Sequence, residues 1–314
     1  MSNDRRGVDL RGDRGSQDLR ERVYHAVFFA CAAVSVLTTV GIILSLAVPA
    51  AGFFAEVSPA EFLLGTQFSP KIDGVFGVLP LVFGTLLITV GAAAVALPFG
   101  LLTAIYLSEY ALTRRRAVLK PLLEVLAGVP TVVYGYFALV YLTPILDAIP
   151  GLELGTFNAL SASIIMGIMI IPMVSSISED AMSAVPDSLR EASYGLGSTK
   201  FDVSTSVVVP SAASGIASSF ILAISRAVGE TMIVVVAAGQ TPRLPDSLPD
   251  LLTAFFQSTQ TMTSAIVQLG LSDLSGGTTG YRALFAIGLT LFVLTLGLNV
   301  LSDVIVRRFE EDYD

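Results

Sequence analysis

Long apolar runs alternate with short polar stretches along nearly the whole chain. Six of the runs are long enough to cross the roughly 30 Å hydrocarbon core of a bilayer. They lie near 24–50, 76–108, 122–145, 157–178, 207–238 and 282–306. The pattern therefore predicts helices buried in lipid or against one another. The first run follows 23 mostly charged and polar residues, is longer than a signal-peptide core, and lacks a small-residue cleavage pattern after Pro49-Ala50-Ala51-Gly52. It is expected to stay as an anchor.

The polar stretches carry their own elements. Residues 1–22 alternate Arg, Asp and Gly with almost no apolar content and read as a disordered, solvated tail, with Asp18–Arg22 able to begin the first helix. Within loop 51–75, Ser58-Pro59-Ala60-Glu61 predicts a short helix, with Ser58 as cap, Pro59 at the first position and Glu61 closing a capping box. Segment 239–281 opens with Pro242, Pro245 and Pro249. Its apolar part, Leu251 to Leu271, is interrupted by Gln257, Gln260 and Gln268, which suits an interfacial or re-entrant helix better than a seventh span. Between the fourth and fifth runs, Pro186 interrupts a helical stretch. Asp187 or Ser188 then starts a short helix, with Glu191 as capping-box partner and Gly195 or Gly197 as the stop.

Charge fixes the orientation. Placing both termini in the cytoplasm puts 14 of the 18 basic residues inside, including Arg114, Arg115, Arg116, Lys120, Arg190, Lys200, Arg307 and Arg308. A seventh span would move Arg307 and Arg308 outside. Composition agrees with a multi-pass membrane protein: 53% hydrophobic and only 14% charged, against about 25% in a soluble domain. The net charge of −8 argues against a nucleic-acid partner. With three lysines and one cysteine, the balance resembles that of proteins from salt-loving organisms. His25 and Cys31 are the only residues of their kinds, so neither a metal site nor a disulfide framework is expected.

One basic residue remains inside the membrane. Arg226 stands four positions before Glu230 in the fifth run, and a charge at mid-membrane costs about 2.5–3.5 kcal/mol on insertion scales. On a continuous helix the two would share a face, either neutralising one another or presenting an arginine to a passing anion. Elsewhere, Gly77, Gly84, Gly91 and Gly100 permit close helix packing. Gly128-Val129-Pro130-Thr131 should break the third run, and Pro130 and Thr131 are candidates to line a route. Glu109 and Glu124 flank the second cytoplasmic loop as ion-pair partners for its arginines and Lys120. No phosphate-cradling glycine-lysine loop occurs, so ATP hydrolysis is not expected on this chain.

Glu191-Ala192-Ser193, Gly197 and Val207-Val208-Val209-Pro210 resemble the Glu-Ala-Ala, glycine and apolar-x-apolar-proline signature of ABC importer permeases, with Ser193 in place of the second alanine. Over residues 24–308, the segments Gly77–Leu86, Ala104–Tyr110, Lys120–Gly135 and Ser225–Met232 are further similar to the permease subunits of phosphate importers. Met232 and the long first outer loop resemble the PstC type more than its PstA partner.

The resemblance implies an all-α membrane protein with six transmembrane helices of the ABC importer type I permease fold. It implies a permease domain over 23–308, a cytoplasmic coupling helix at 188–197, an extracellular segment at 239–281 and a cytoplasmic tail at 309–314. Glu191, Ala192, Ser193, Gly197 and Pro210 would couple to an ATPase, with Glu191 anchoring the loop. Arg226, Glu230, Thr231, Pro130 and Thr131 would line the substrate path. The implied partners are a PstA-like permease, a PstB-like ATPase homodimer using ATP and Mg, and a PstS-like extracytoplasmic phosphate-binding protein, all at the cell membrane. Importers of sulfate or molybdate stay open as neighbours, since one arginine does not select among tetrahedral anions. A membrane enzyme would need a polar constellation that a single histidine does not supply, and a secondary transporter would have no use for the coupling loop.

Overall fold

The computed structural model describes residues 14–275 and 277–311. Residues 1–13 of the expected tail, and 312–314, lie outside them. Helix α1 (Arg14–Phe54) begins within the segment expected as tail. It leads to α2 (Pro59–Leu64) and a two-stranded antiparallel pair, β1 (Phe68–Ser69) and β2 (Val75–Phe76), with Phe68 opposite Phe76. Next come α3 (Leu79–Ile105), prolonged by a π-helical turn over Tyr106–Tyr110, and α4 (Thr113–Gly128). Helices α5 (Thr131–Phe137) and α6 (Thr143–Asp147) follow, joined by a π-helical turn. After the long α7 (Ala159–Ser183) and the short α8 (Asp187–Gly195), α9 (Lys200–Val203) leads into the fifth run, which folds as α10 (Val209–Ser211), α11 (Ala213–Val228) and, past a break, a π-helical turn over Val234–Ala238. Helices α12 (Leu248–Thr253), α13 (Met262–Gly270) and α14 (Thr279–Glu311) complete the chain.

Among the described residues, four helices are long and apolar enough to cross a membrane: Arg20–Phe54, Leu79–Tyr110, Ala159–Ser183 and Thr279–Leu301. Two bent pairs bring the total to six if each pair is one span. Thr113–Gly128 with Thr131–Asp147 turns by 88°, and Lys200–Ser211 with Ala213–Val228 turns by 71°. The third run is thus broken where Gly128–Thr131 predicts, and the fifth, read from hydropathy as continuous, is broken as well.

The centre of the bundle is the packing of α3 on α7, which interlocks Ile88, Ala92 and Ala96 with Ala162, Met166, Ile170 and Val174. Small residues set that distance. A second core surrounds Phe53, whose ring meets Phe54, Phe62 and Phe76 edge-on at centroid separations of 5.3 Å. This aromatic cluster holds α2 in place: Phe62 is fully buried, and Ser58 makes no side-chain cap. The expected capping box with Glu61 is therefore not formed, because Pro59 and the Phe62 anchor already fix a six-residue helix. A third core, at the α8 end, gathers Ala104, Met182, Val185, Val203, Val208 and Ile216.

Segment 251–271 is not one helix. Helix α12 runs into a 3₁₀ turn at Ala254–Phe256, the chain extends, and α13 follows. At nine residues and about 1.5 Å per residue, α13 is far too short to cross 30 Å. The extended stretch lies hard against α3. A Cβ on Gly84 would collide with the Gln260 carbonyl oxygen, so only glycine fits there.

Candidate functional site

Helix α8 is an exposed element with a buried tether. It starts directly after Pro186 without a side-chain cap, and the expected box between Ser188 and Glu191 is not made. The acidic Asp187 in the first turn favours the helix dipole instead. Glu191 and Ala192 are exposed and Ser193 half-buried. Leu189, Tyr194 and Leu196 also face outward, Leu196 almost completely. Gly197 adopts φ +87°, a left-handed conformation that suits glycine and turns the chain out of the helix, with its N–H donating to the Tyr194 carbonyl.

The tether is Arg190, which the sequence pattern does not single out beside Glu191. Its guanidinium donates to the Met182 carbonyl at 2.7 Å and to Glu109 Oε1 at 3.2 Å, and further to the Val185 carbonyl and Asp187. Arg190 and Glu109 are largely buried, with 15% and 6% of their side chains exposed. Glu109 thus pairs across 81 residues of sequence and not with the arginines of its own loop. Just beyond, Thr199 and Asp202 form a reciprocal capping box at the start of α9. Pro210 sits in α10, immediately before the 71° bend.

A second charged cluster joins α4 to α7. Glu179 is fully buried and accepts from Arg116 and from Lys120 Nζ at 2.7 Å, while Lys120 also reaches Asp180 at 3.2 Å. Hydropathy ends the fourth run near 178 and leaves Glu179 in a loop; it lies inside α7, one turn before the helix ends. Its partners are about sixty positions away, beyond the reach of local pattern.

Arg226 and Glu230 do not share a helix. Helix α11 stops at Val228, and Glu230 lies past Gly229 in the break. The Glu230 carboxylate accepts from the Met232 N–H at 3.0 Å and the Ile233 N–H at 3.4 Å, capping the helical turn that follows. Amide groups freed at a helix start need an acceptor, and Glu230 supplies it. No ion pair forms between Arg226 and Glu230, so the expectation that Glu230 neutralises Arg226 across a shared face is corrected. The break is tied from the other side by Thr263, whose hydroxyl donates to the Glu230 carbonyl at 2.8 Å, and Thr231 Oγ1 donates to the Gly229 carbonyl.

The two helix breaks meet. Pro130 precedes α5 and Thr131 opens it, while Tyr134 OH donates to the Leu126 carbonyl at 2.7 Å across the bend. One turn into α5, a Cβ on Gly135 would lie 3.2 Å from the Met232 carbonyl oxygen and 3.0 Å from Val236. The helix that Thr131 opens thus packs, at Gly135, against the turn that Glu230 caps. Arg226 faces a different space. A cavity of about 310 Å³ between α4, α7 and α11 is lined by Arg226, Lys120, Glu124 and Glu179 among apolar neighbours such as Met169 and Pro172. Among the described residues no group of His, Cys, Asp and Glu is placed to hold a metal ion.

The fold is thus a set of broken spans around a small-residue core, with an exposed short helix pinned at one end. Residues 96–313 match the family of binding-protein-dependent transport system inner membrane components, and the chain belongs to that family as a permease subunit of an ABC-type importer. Among curated relatives, a probable ABC transporter permease protein, YqgH, of Bacillus subtilis is 34% identical over 298 residues, covering 94% of this chain and 93% of that one. The phosphate transport system permease protein PstC of Xylella fastidiosa is 31% identical, covering 81% of this chain and 80% of its own length. A chain of a bacterial alginate ABC transporter, crystallised with its alginate pentasaccharide-bound periplasmic protein, shares the fold at TM-score 0.63 and 14% identity, covering 94% of this chain and 98% of that chain.

Proposed function

We propose that the chain is the PstC-type permease subunit of an ATP-driven phosphate importer, set in the cell membrane with both termini cytoplasmic. Arg226 is the transient anion contact. It opens onto the cavity between α4, α7 and α11, and that placement is the observation that carries the reading. A guanidinium gives a tetrahedral oxyanion paired hydrogen bonds, and a conduit needs a contact strong enough to attract and weak enough to release.

Helix α8 docks on a PstB-like ATPase dimer, which binds ATP and Mg. Its exposed Leu189, Tyr194 and Leu196 are the apolar surface that such a partner would cover. Movement of α8 reaches the path by two routes: through the Arg190–Glu109 pair to the end of α3, and along the chain through α9 and α10 to α11. A PstA-like permease completes the conduit, and a PstS-like protein delivers phosphate outside.

Co-reconstitution of the four subunits in proteoliposomes tests this. ATP-dependent uptake of labelled phosphate, undiminished by excess sulfate or molybdate, is the expected result. Uptake of sulfate or molybdate in its place would move the assignment to another oxyanion importer.

A further inference from the structure

We propose that Lys120 is a second anion contact in the α4–α7–α11 cavity, shared between the buried Glu179 and the transported oxyanion. The inference rests on the reading of this chain as an oxyanion permease and extends its site by one residue.

Lys120 and Arg226 come from helices far apart in sequence yet line one cavity of about 310 Å³. That space is several times the roughly 30 Å³ a water molecule takes in the liquid. Lys120 has three ammonium donors. Two are engaged, by Glu179 Oε2 at 2.7 Å and by the exposed Asp180 at 3.2 Å, which leaves one for a ligand in the cavity. A third of the lysine side chain is exposed, whereas Glu179 has none.

Charge balance favours an anion. Glu179 is held doubly, because Arg116 pairs with its other oxygen from outside the lining. A buried carboxylate with one cation would resist giving it up, since an unpaired buried charge is costly. With Arg116 in place, Glu179 stays compensated when Lys120 swings toward a ligand. The lining then sets Lys120 and Arg226 against Glu124 and a Glu179 whose charge Arg116 offsets from outside it. Glu179 thus acts as a resident carboxylate that the oxyanion displaces on entry and that reclaims Lys120 when the anion leaves, the weak, exchangeable hold a conduit requires.

The test is equilibrium binding of inorganic phosphate to the assembled permease–ATPase complex in nanodiscs, with the external binding protein omitted. Lys120→Gln should weaken binding by about tenfold, the effect of losing one charged hydrogen bond, and Lys120→Arg should restore most of it. Glu179→Gln should tighten binding, because it frees Lys120. If Lys120→Gln does not assemble, Glu179→Gln alone decides: unchanged or weaker binding overturns the proposal. Equal affinity in wild type and Lys120→Gln, or no binding by wild type of either phosphate or sulfate, overturns it as well. Run in parallel, sulfate separates the two readings. Sulfate binding that Lys120→Gln weakens, with no phosphate binding, keeps this site and removes the phosphate assignment.

Discussion

The α8 end and the break at Gly229–Thr231 handle charge in opposite ways. At the α8 end, buried carboxylates hold cations: Glu109 holds Arg190, and Glu179 holds Arg116 and Lys120 of α4. At the break, the carboxylate is spent on backbone amides, and among the described residues Arg226 forms no ion pair. On the proposed reading, the Arg190–Glu109 pair is the strut that carries force, and Glu179 holds Lys120 reversibly. The break leaves a cation facing a cavity, which is what a mobile anion would need.

The strongest way to break the contrast is at the strut. Arg190→Ala should cost about 3–5 kcal/mol, as removal of one partner from a buried pair does, and the ATPase should no longer co-purify. Co-purification at wild-type levels would show that α8 needs no tether. Next in size is Gly84→Val, which drives a side chain into the Gln260 carbonyl and should lower stability by about 1–3 kcal/mol in thermal unfolding.

At the break, the effects should be smaller and chemically selective. Glu230→Ala removes the cap and should cost about 1 kcal/mol, whereas Glu230→Gln keeps an acceptor oxygen and should transport nearly normally. Loss of transport in both variants alike would restore a charge role for Glu230. Smallest in stability is Glu191→Ala, an exposed change expected to stay within about 0.5 kcal/mol while weakening ATPase recruitment.

Local chemistry made part of this legible in sequence. Gly128 and Pro130 announce the third-run break because each disfavours a continuing helix, and Pro186 and Gly197 bracket α8 for the same reason. The break after Val228 was hidden, because the apolar pattern resumes at Met232 and continues through Ile233 to Val236, and hydropathy does not register backbone direction. Consequently the four-residue spacing of Arg226 and Glu230 suggested a shared face that a single glycine removes. Long-range pairings were hidden for a different reason. Arg190 meets Glu109 across 81 positions and Lys120 meets Glu179 across 59, distances that no local periodicity encodes.

The central claim is that Arg226, and not the Arg190–Glu109 strut, meets the anion. Its most direct test is Arg226→Gln in the reconstituted transporter, with phosphate uptake and ATP hydrolysis followed together. Uptake should fall by about tenfold or more, as expected for loss of a charged hydrogen-bond donor, while the complex still assembles and hydrolyses ATP. Normal uptake by Arg226→Gln would contradict the account.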